Sequence, residues 1–307
     1  MLPRTLALAV SQVELTLAVF IATALPAGSL AIFYFAQHLN SLPVGLFGAT
    51  IGQAALPSLS QVTSENGQKF KALLIASLNQ VLFLSLPAGM ILLILRIPAV
   101  RLAFGTANFP WQATLLTGKV VALFAISVFA QSAVQILVRG FYALSNTKTP
   151  LFLGALSVLI NVGLSLLFVY RFGLGVMGLA LGISLASFIQ AALLFTLLVK
   201  RLGGVSVTEF WLPAFKMTLS TLLTGLALWV PLRVLDEYLL DTARTLDLIV
   251  LSVITSLIGL GVYATLSKIF KVAELNGFID LLNKVRHFKT TLKSSETALE
   301  PTLPSDA

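Results

Sequence analysis

Apolar runs of roughly twenty residues recur along the whole sequence, and a run of that length crosses a bilayer as an α-helix. Only 10% of the 307 residues are charged, against roughly 25% in soluble domains. Such runs would be insoluble in water whatever the charge around them. The sequence therefore predicts an all-α, polytopic integral membrane protein.

Cuts at proline, glycine and charged residues divide the chain into eight candidate spans. They are residues 5–26, 28–60, 71–95, 113–138, 150–170, 174–199, 210–233 and 248–269. The second span is long because Pro43 is expected to break or kink it. The connections are short, so neighbouring helices should be antiparallel and packed.

Two further segments follow the last span. Residues 271–290 place apolar residues at helical spacing opposite charged ones, which predicts an amphipathic helix on the membrane surface. Residues 291–307 are polar and contain proline, which is typical of a disordered tail.

The basic residues predict the orientation of the chain. Placing the N-terminus in the cytoplasm gives that side thirteen lysines and arginines, against five on the other side and two within spans. This distribution follows the positive-inside bias, so both termini are expected to be cytoplasmic. The need to orient membrane helices explains the net charge of +8 better than nucleic-acid binding does. We therefore expect no nucleic-acid partner.

The sequence carries no pattern that indicates catalysis or a metal site. The absence of cysteine excludes disulfides, thiolate catalysis and cysteine-based zinc sites. His38 and His287 lie on different elements without carboxylates at metal-ligand spacing, and no nucleophile or phosphate-loop motif is present. We therefore expect neither an enzyme nor a metalloprotein.

Four ionisable residues lie at membrane depth: Glu14, His38, Lys119 and Lys216. A charge there costs at least ~2.5–3.5 kcal/mol, so each residue needs a partner, a watery cavity or a neutral form. Lys216 lies near a span end and can extend its amine to the interface, and the same explanation is open for Lys119. Glu14 is either a protonated packing residue or a cavity residue.

His38 is the strongest candidate for a cavity residue. Gln37, Asn40 and Ser41 lie beside it, and Pro43 frees a backbone carbonyl within one turn. A polar, broken helix is tolerated only where it faces protein or water. We expect this segment to face a cavity, with interhelical packing as the alternative. Other polar residues within spans are expected as interhelical hydrogen-bond partners: Asn79, Gln80, Gln131, Ser132, Gln135, Asn161 and Ser165.

Two stretches carry a resemblance to a known family. They are SLPVGLFGATIGQAALPSLSQ, residues 41–61, and VRGFYALSNTKTPLFLGALSVLINVGLSLLF, residues 138–168. Both resemble signature segments of the lipid II flippase family MurJ/MviN, within the multidrug/oligosaccharidyl-lipid/polysaccharide exporter superfamily. The stretches LPRTLALAVSQ and GVMGLALGISLASFIQ fit the same register, so the resemblance runs from residue 2 to about residue 201.

The resemblance implies two six-helix lobes followed by two extra helices, with the substrate bound at the interface of the lobes. Residues 1–201 would form the second lobe and residues 202–270 the extra pair, while the first lobe is absent from this sequence. A separately encoded first lobe, or a homo-oligomer of half-units, would then complete the cavity.

The resemblance also implies transport without covalent chemistry. Lipid II, the lipid-linked peptidoglycan precursor of cell wall biogenesis, would be moved across the bacterial cytoplasmic (inner) membrane by alternating access, with membrane lipids as the other partners. One alternative is a truncated, non-transporting membrane scaffold or remnant, which the start at Met1 on a mid-chain helix of the family favours. A second alternative is a related polysaccharide-lipid exporter.

Residue roles follow from the same resemblance. His38 stands in FAQHL where the family usually has an arginine that binds the diphosphate, so it is the expected but weaker anion contact. Glu14, Lys119 and Gln37 are the other expected substrate-binding residues of the cavity, and Pro43 is the expected structural break.

Ion coupling is left open by the resemblance. Asn161 falls in the helix that supplies sodium ligands in family members, so it is a candidate ion site. Ala18, however, stands where some members carry an acidic residue, with Glu14 one turn earlier. The driving force is therefore a sodium ion or the membrane potential, and no other cofactor is expected.

Overall fold

The computed structural model describes residues 2–63, 67–105, 109–238 and 245–278 of the chain, which are helical with short turns and contain no strand. Their helices are α1 (Leu2–Thr23), α2 (Ser29–Pro43), α3 (Thr50–Thr63), α4 (Gly67–Ile94), α5 (Arg96–Phe104), α6 (Trp111–Ala143), α7 (Lys148–Leu166), α8 (Val176–Arg201), α9 (Leu212–Tyr238) and α10 (Thr245–Ile269). Three π-helical turns accompany them, at Val44–Ala49, Leu167–Arg171 and Val207–Trp211. The predicted all-α fold class is confirmed.

Six helical segments of the described residues are long and apolar enough to cross a membrane. They are Ser29–Val62, Gly67–Ile94, Trp111–Ala143, Lys148–Arg171, Val176–Arg201 and Leu246–Ile269. Each coincides with one predicted span, and the remaining predicted spans, 5–26 and 210–233, fall on α1 and α9. The polytopic architecture is confirmed, and the orientation of the termini stays a prediction.

The segment around Pro43 changes its helical pitch but does not end. Pro43 closes α2, the π-helical turn Val44–Ala49 follows at once, and α3 continues the path. Membrane helices commonly absorb a proline by such a local widening, since proline has no N–H to donate. The π-helical turn packs closely against α6. A Cβ atom at Gly48 would overlap Ser132 of that helix.

The helix α6 lies at the centre of the described bundle and contributes to two apolar clusters. Phe33 and Phe124 belong to the first cluster, whereas Phe70 and Phe141 belong to the second. Such clusters hold membrane helices together through close van der Waals packing. Residues 127–135 of α6 lie between Phe124 and Phe141, so the packing of these two rings fixes the place of the polar side chains in that stretch.

Consecutive spans pack against each other with two exceptions. The pairs α4 and α6, α7 and α8, and α9 and α10 are in extensive contact, whereas α6 and α7 barely touch and α8 and α9 have little or no contact. The expectation that all neighbouring spans pack is therefore wrong at these two places. Because α8 packs against both α6 and α7, the helix α7 lies on the far side of α8, where it also contacts α1.

The end of the described chain packs on the bundle. Residues 273–278 form a short helix after α10, and Val272 and Leu275 are buried against Phe83, Met217 and Tyr263. This part of the predicted amphipathic helix thus places two apolar side chains against protein. Residues 279–307, which include the rest of that predicted helix and the predicted disordered tail, lie outside the described residues.

Candidate functional site

A cavity of about 250 Å³ lies between α1, α2, α6 and α8. Half of its lining residues are apolar, and the other half are polar. The polar ones are Glu14, Gln37, Gln131, Gln135, Ser187 and Gln190. Amide and hydroxyl groups both donate and accept hydrogen bonds, so this wall suits a polar, uncharged part of a ligand.

A chain of hydrogen bonds holds the cavity wall in place. Asn40 of α2 donates from Nδ2 to Oε1 of Gln131 at 3.1 Å, and Gln131 donates from Nε2 to Oγ of Ser127 at 2.8 Å. Ser184 of α8 donates from Oγ to Oγ of Ser127 at 3.1 Å. Three of the four helices around the cavity are therefore joined by polar contacts, as expected for polar groups in a membrane bundle.

Glu14 both lines the cavity and bonds to a neighbouring helix. Asn161 of α7 donates from Nδ2 to Oε1 of Glu14 at 3.0 Å. Ser165 donates in turn from Oγ to Oδ1 of Asn161 at 3.1 Å. Both sequence interpretations of Glu14, packing residue and cavity residue, thus describe part of its environment, and Asn161 is brought to the same place.

Gln37 and His38 are adjacent in sequence but differ in position. Gln37 lines the cavity, whereas His38 is exposed and lies outside the cavity lining. The His38 ring stacks on Tyr34, with ring centroids 6.4 Å apart and an angle of 25° between the planes. Successive helical residues point roughly 100° apart, so a helix that turns Gln37 into the cavity turns His38 away from it.

Lys119 is not part of the cavity. Its side chain is exposed on α6, and it lies twelve residues before the lining residue Gln131. At a rise of ~1.5 Å per residue, this spacing is ~18 Å along the helix axis, which is beyond the reach of a lysine side chain. The structure therefore brings together Glu14, Gln37 and Asn161 but neither His38 nor Lys119.

Arg139 lies beside the cavity, because it bonds to the lining residue Gln135. Its Nη1 donates to the backbone oxygen of Gln135 at 2.7 Å and to the Oε1 of the same residue at 3.1 Å. Gly52 leaves room for the guanidinium, because a Cβ at that position would collide with Nη1. The signal in the sequence is the four-residue spacing of Gln131, Gln135 and Arg139, which puts them on one face of α6.

The described residues contain no group of three His, Cys, Asp or Glu side chains that could hold a metal ion. Among the residues that line the cavity, Glu14 is the one with an ionisable side chain. Hydrogen bonding by amides, with a carboxyl group on one wall and a guanidinium nearby, is the chemistry that this arrangement provides.

Residues 1–270 match the family model described as lipid II flippase MurJ. The chain belongs to the MurJ family. A probable lipid II flippase MurJ from Bdellovibrio bacteriovorus is 28% identical over 277 residues, covering 90% of this chain and 52% of that protein. The lipid II flippase MurJ of Burkholderia cenocepacia is 30% identical over 232 residues, covering 75% of this chain and 44% of the relative. The chain thus spans about half the length of the MurJ relatives that it matches.

Solved structures agree on the MurJ fold. The lipid II flippase MurJ in an inward closed conformation matches with a TM-score of 0.71 at 23% identity, over 86% of this chain and 52% of that one. An outward-facing multidrug resistance transporter of the MATE family and MOP superfamily matches with a TM-score of 0.56 at 14% identity, over 90% and 65%. The resemblance predicted from the sequence is confirmed. The chain is a multi-pass protein of the bacterial cytoplasmic (inner) membrane.

Membership in the MurJ family does not assign a role to individual residues. The substrate-binding roles of His38, Glu14, Lys119 and Gln37, and the ion-binding role of Asn161, stay predictions. The geometry now ranks these predictions, because Glu14 and Gln37 line one cavity and Asn161 bonds to the first of them.

Proposed function

We propose that this chain provides one wall of the transport cavity of a lipid II flippase, which moves the lipid-linked peptidoglycan precursor across the cytoplasmic membrane by alternating access. Family membership supports the activity. The observation that carries the site is the polar cavity between α1, α2, α6 and α8, because four glutamine side chains and one carboxyl group converge on it from these helices.

The cavity wall suits the sugar and peptide part of the precursor. Those groups present hydroxyls and amides, which pair with the side-chain amides of Gln37, Gln131, Gln135 and Gln190. The cavity of about 250 Å³ is too small for the whole headgroup, since pockets for drug-sized ligands already measure ~300–1,000 Å³. In this proposal, a first lobe or a second copy of the chain supplies the facing wall.

The diphosphate of the precursor needs a cationic contact. Arg139 is held beside Gln135 and presents a permanently charged fork of five N–H donors, whereas His38 offers at most two donors. His38 is exposed on α2 and lies outside the cavity lining, so in this proposal its contact is made in the facing half of the cavity. We assign the stronger diphosphate contact to Arg139 and the weaker one to His38.

The precursor passes through this site chemically unchanged. The family model that the chain matches describes a flippase, which moves a lipid between leaflets without covalent chemistry. The proposed activity is therefore transport.

The driving force in this proposal is a sodium ion or the membrane potential. Carboxylate and amide oxygens are donors that hard cations prefer, and Glu14 and Asn161 provide them at one place. The amide of Asn161 points its nitrogen at Glu14 and its oxygen at Ser165. Sodium binding by Glu14 and Asn161 together would therefore require this amide to turn over.

Flipping of a fluorescent lipid-linked precursor in proteoliposomes tests the proposal. The chain is reconstituted alone and together with the N-terminal half of a MurJ relative, and the labelled precursor that reaches the other leaflet is measured by quenching. Transport is expected in at least one arrangement. If both arrangements leave the precursor in its original leaflet, the proposal is wrong.

A further inference from the structure

We propose that a second pocket, at the end of the bundle where α4 ends and α6 begins, binds the phosphate group of an anionic membrane phospholipid. The pocket has a volume of about 480 Å³ and is enclosed by the end of α4 and by α5, α6, α9 and α10. It shares no lining residue with the polar cavity. The inference therefore stands whether or not the chain takes part in transport.

Two arginines give this pocket its charge. Arg96 and Arg101 both line it, and both side chains are partly buried. Arg96 donates from Nη1 to the backbone oxygen of Leu93 at 3.0 Å, which fixes the guanidinium and leaves further N–H groups for a ligand. Neither arginine forms a salt bridge with a described residue. Two cations in one partly buried pocket repel each other, and a bound anion removes that repulsion.

Two tryptophans place the pocket at the membrane boundary. Trp111, the first residue of α6, lies under the Arg101 guanidinium, with 5.6 Å from Cζ to the ring centroid. Trp229 lines the pocket from α9. Tryptophan side chains concentrate at the level of lipid headgroups, where a phosphate is the nearest abundant anion.

The surface beside the pocket suits acyl chains. Leu226 and Leu222 precede Trp229 by three and seven residues, so they share its face of α9, and they are 71% and 53% exposed. A phospholipid can thus place its phosphate between the arginines and its chains along this apolar face. A soluble phosphate compound would leave the apolar face unused, and a zwitterionic lipid would bring a cation next to two others.

Tryptophan fluorescence tests the inference because two of the three tryptophans line the pocket. Trp211 ends the π-helical turn before α9 and lies eighteen residues before Trp229, which is ~27 Å along the helix axis. The full chain is reconstituted in bilayers of unlabelled phosphatidylcholine. A small fraction of brominated lipid is added, which is either phosphatidylglycerol or phosphatidylcholine with bromine near the carbonyl end of its acyl chains. In Trp211→Phe the emission comes from the pocket, and in the double variant Trp111→Phe/Trp229→Phe it comes from Trp211.

Selective binding predicts that brominated phosphatidylglycerol quenches the pocket tryptophans several-fold more than brominated phosphatidylcholine does, while Trp211 is quenched equally by both. Arg96→Gln/Arg101→Gln, made in the Trp211→Phe background, should abolish the difference. The matched control is Arg171→Gln, because Arg171 is exposed at the same end of the bundle but lies outside the pocket. It should leave the difference unchanged.

Three results would overturn the inference. The first is equal quenching of the pocket tryptophans by the two brominated lipids, which needs no arginine variant and so does not depend on its folding. The second is an equal loss of preference in Arg171→Gln and in the double glutamine variant, since that would indicate a diffuse charge effect. The third is displacement of the brominated lipid by an equimolar polyprenyl diphosphate, which would assign the pocket to the transported precursor.

Discussion

Replacing Gln131 by leucine should destabilise the bundle at the wall of the polar cavity. Gln131 accepts a hydrogen bond from Asn40 of α2 and donates one to Ser127 of its own helix. Leucine has nearly the same size but no polar atoms, so both bonds are lost while the packing volume is retained. Asn40 is 4% exposed, and its Oδ1 has no hydrogen-bond partner among the described residues, so the bond from its Nδ2 to Gln131 is the one that its side chain makes there. The change therefore leaves a buried amide without any bond.

The magnitude follows from two contributions. Hydrogen bonds between side chains in membrane bundles contribute ~0.6 kcal/mol each on average, so the two lost bonds account for ~1.2 kcal/mol. An orphaned buried polar group costs a further ~1–3 kcal/mol. Gln131→Leu is thus expected to lower the free energy of unfolding by ~2–4 kcal/mol. Removing Asn40 as well should recover part of this loss, because no orphaned amide then remains.

The assay is reversible unfolding in mixed micelles, followed by circular dichroism as the denaturing detergent is increased. The double-mutant cycle uses Gln131→Leu, Asn40→Leu and their combination. Gln112→Leu is the matched control, since Gln112 lies on α6 but is exposed outside the cavity. A loss for Gln131→Leu no larger than that of the control, or strict additivity in the cycle, would refute the reasoning.

Two further changes test other parts of the structure. Gly52→Ala should displace the Arg139 guanidinium and lower precursor flipping several-fold, whereas Gly45→Ala, where a Cβ meets nothing within 4 Å, should not; equal rates would contradict the arrangement. The bond from Lys71 to Glu209, at 3.0 Å, lowers the pKa of the Glu209 carboxyl group. Its stabilisation is present above the ordinary carboxyl pKa and lost as the pH falls through the lowered value. Thermal unfolding should show this loss in the wild type but not in Glu209→Gln.

The helices and their order are predictable from the sequence because they depend on local composition. An apolar run of sufficient length must form a helix in a bilayer, whatever its neighbours are, and every predicted span falls on a helix of the described residues. For the segment after Pro43, the sequence predicts that the helix is irregular but not which form the irregularity takes. The missing N–H requires an irregularity, but its form as a π-helical turn depends on packing against Ser132 of α6.

The candidate site is less predictable because it depends on contacts between distant segments. Glu14 and Asn161 are 147 residues apart in sequence and form one hydrogen bond, which no periodicity within either helix reveals. His38 and Gln37 share a polar segment, and only the rotation of α2 decides which of them lines the cavity. The place of Arg139 beside the cavity could not be predicted, because the positive-inside bias already explains a basic residue at the end of a span.

The most direct measurement of the central claim compares precursor flipping by wild type, Gln135→Leu/Gln190→Leu and Gln112→Leu in the reconstituted system that supports transport. Gln135 and Gln190 line the polar cavity, whereas Gln112 is an exposed glutamine outside it. Two lost hydrogen bonds to the precursor correspond to ~1.4 kcal/mol or more, so the double variant should flip at least ~10-fold more slowly than the wild type. The Gln112 variant should match the wild type. Equal rates for all three proteins would contradict the proposal that this cavity receives the transported headgroup.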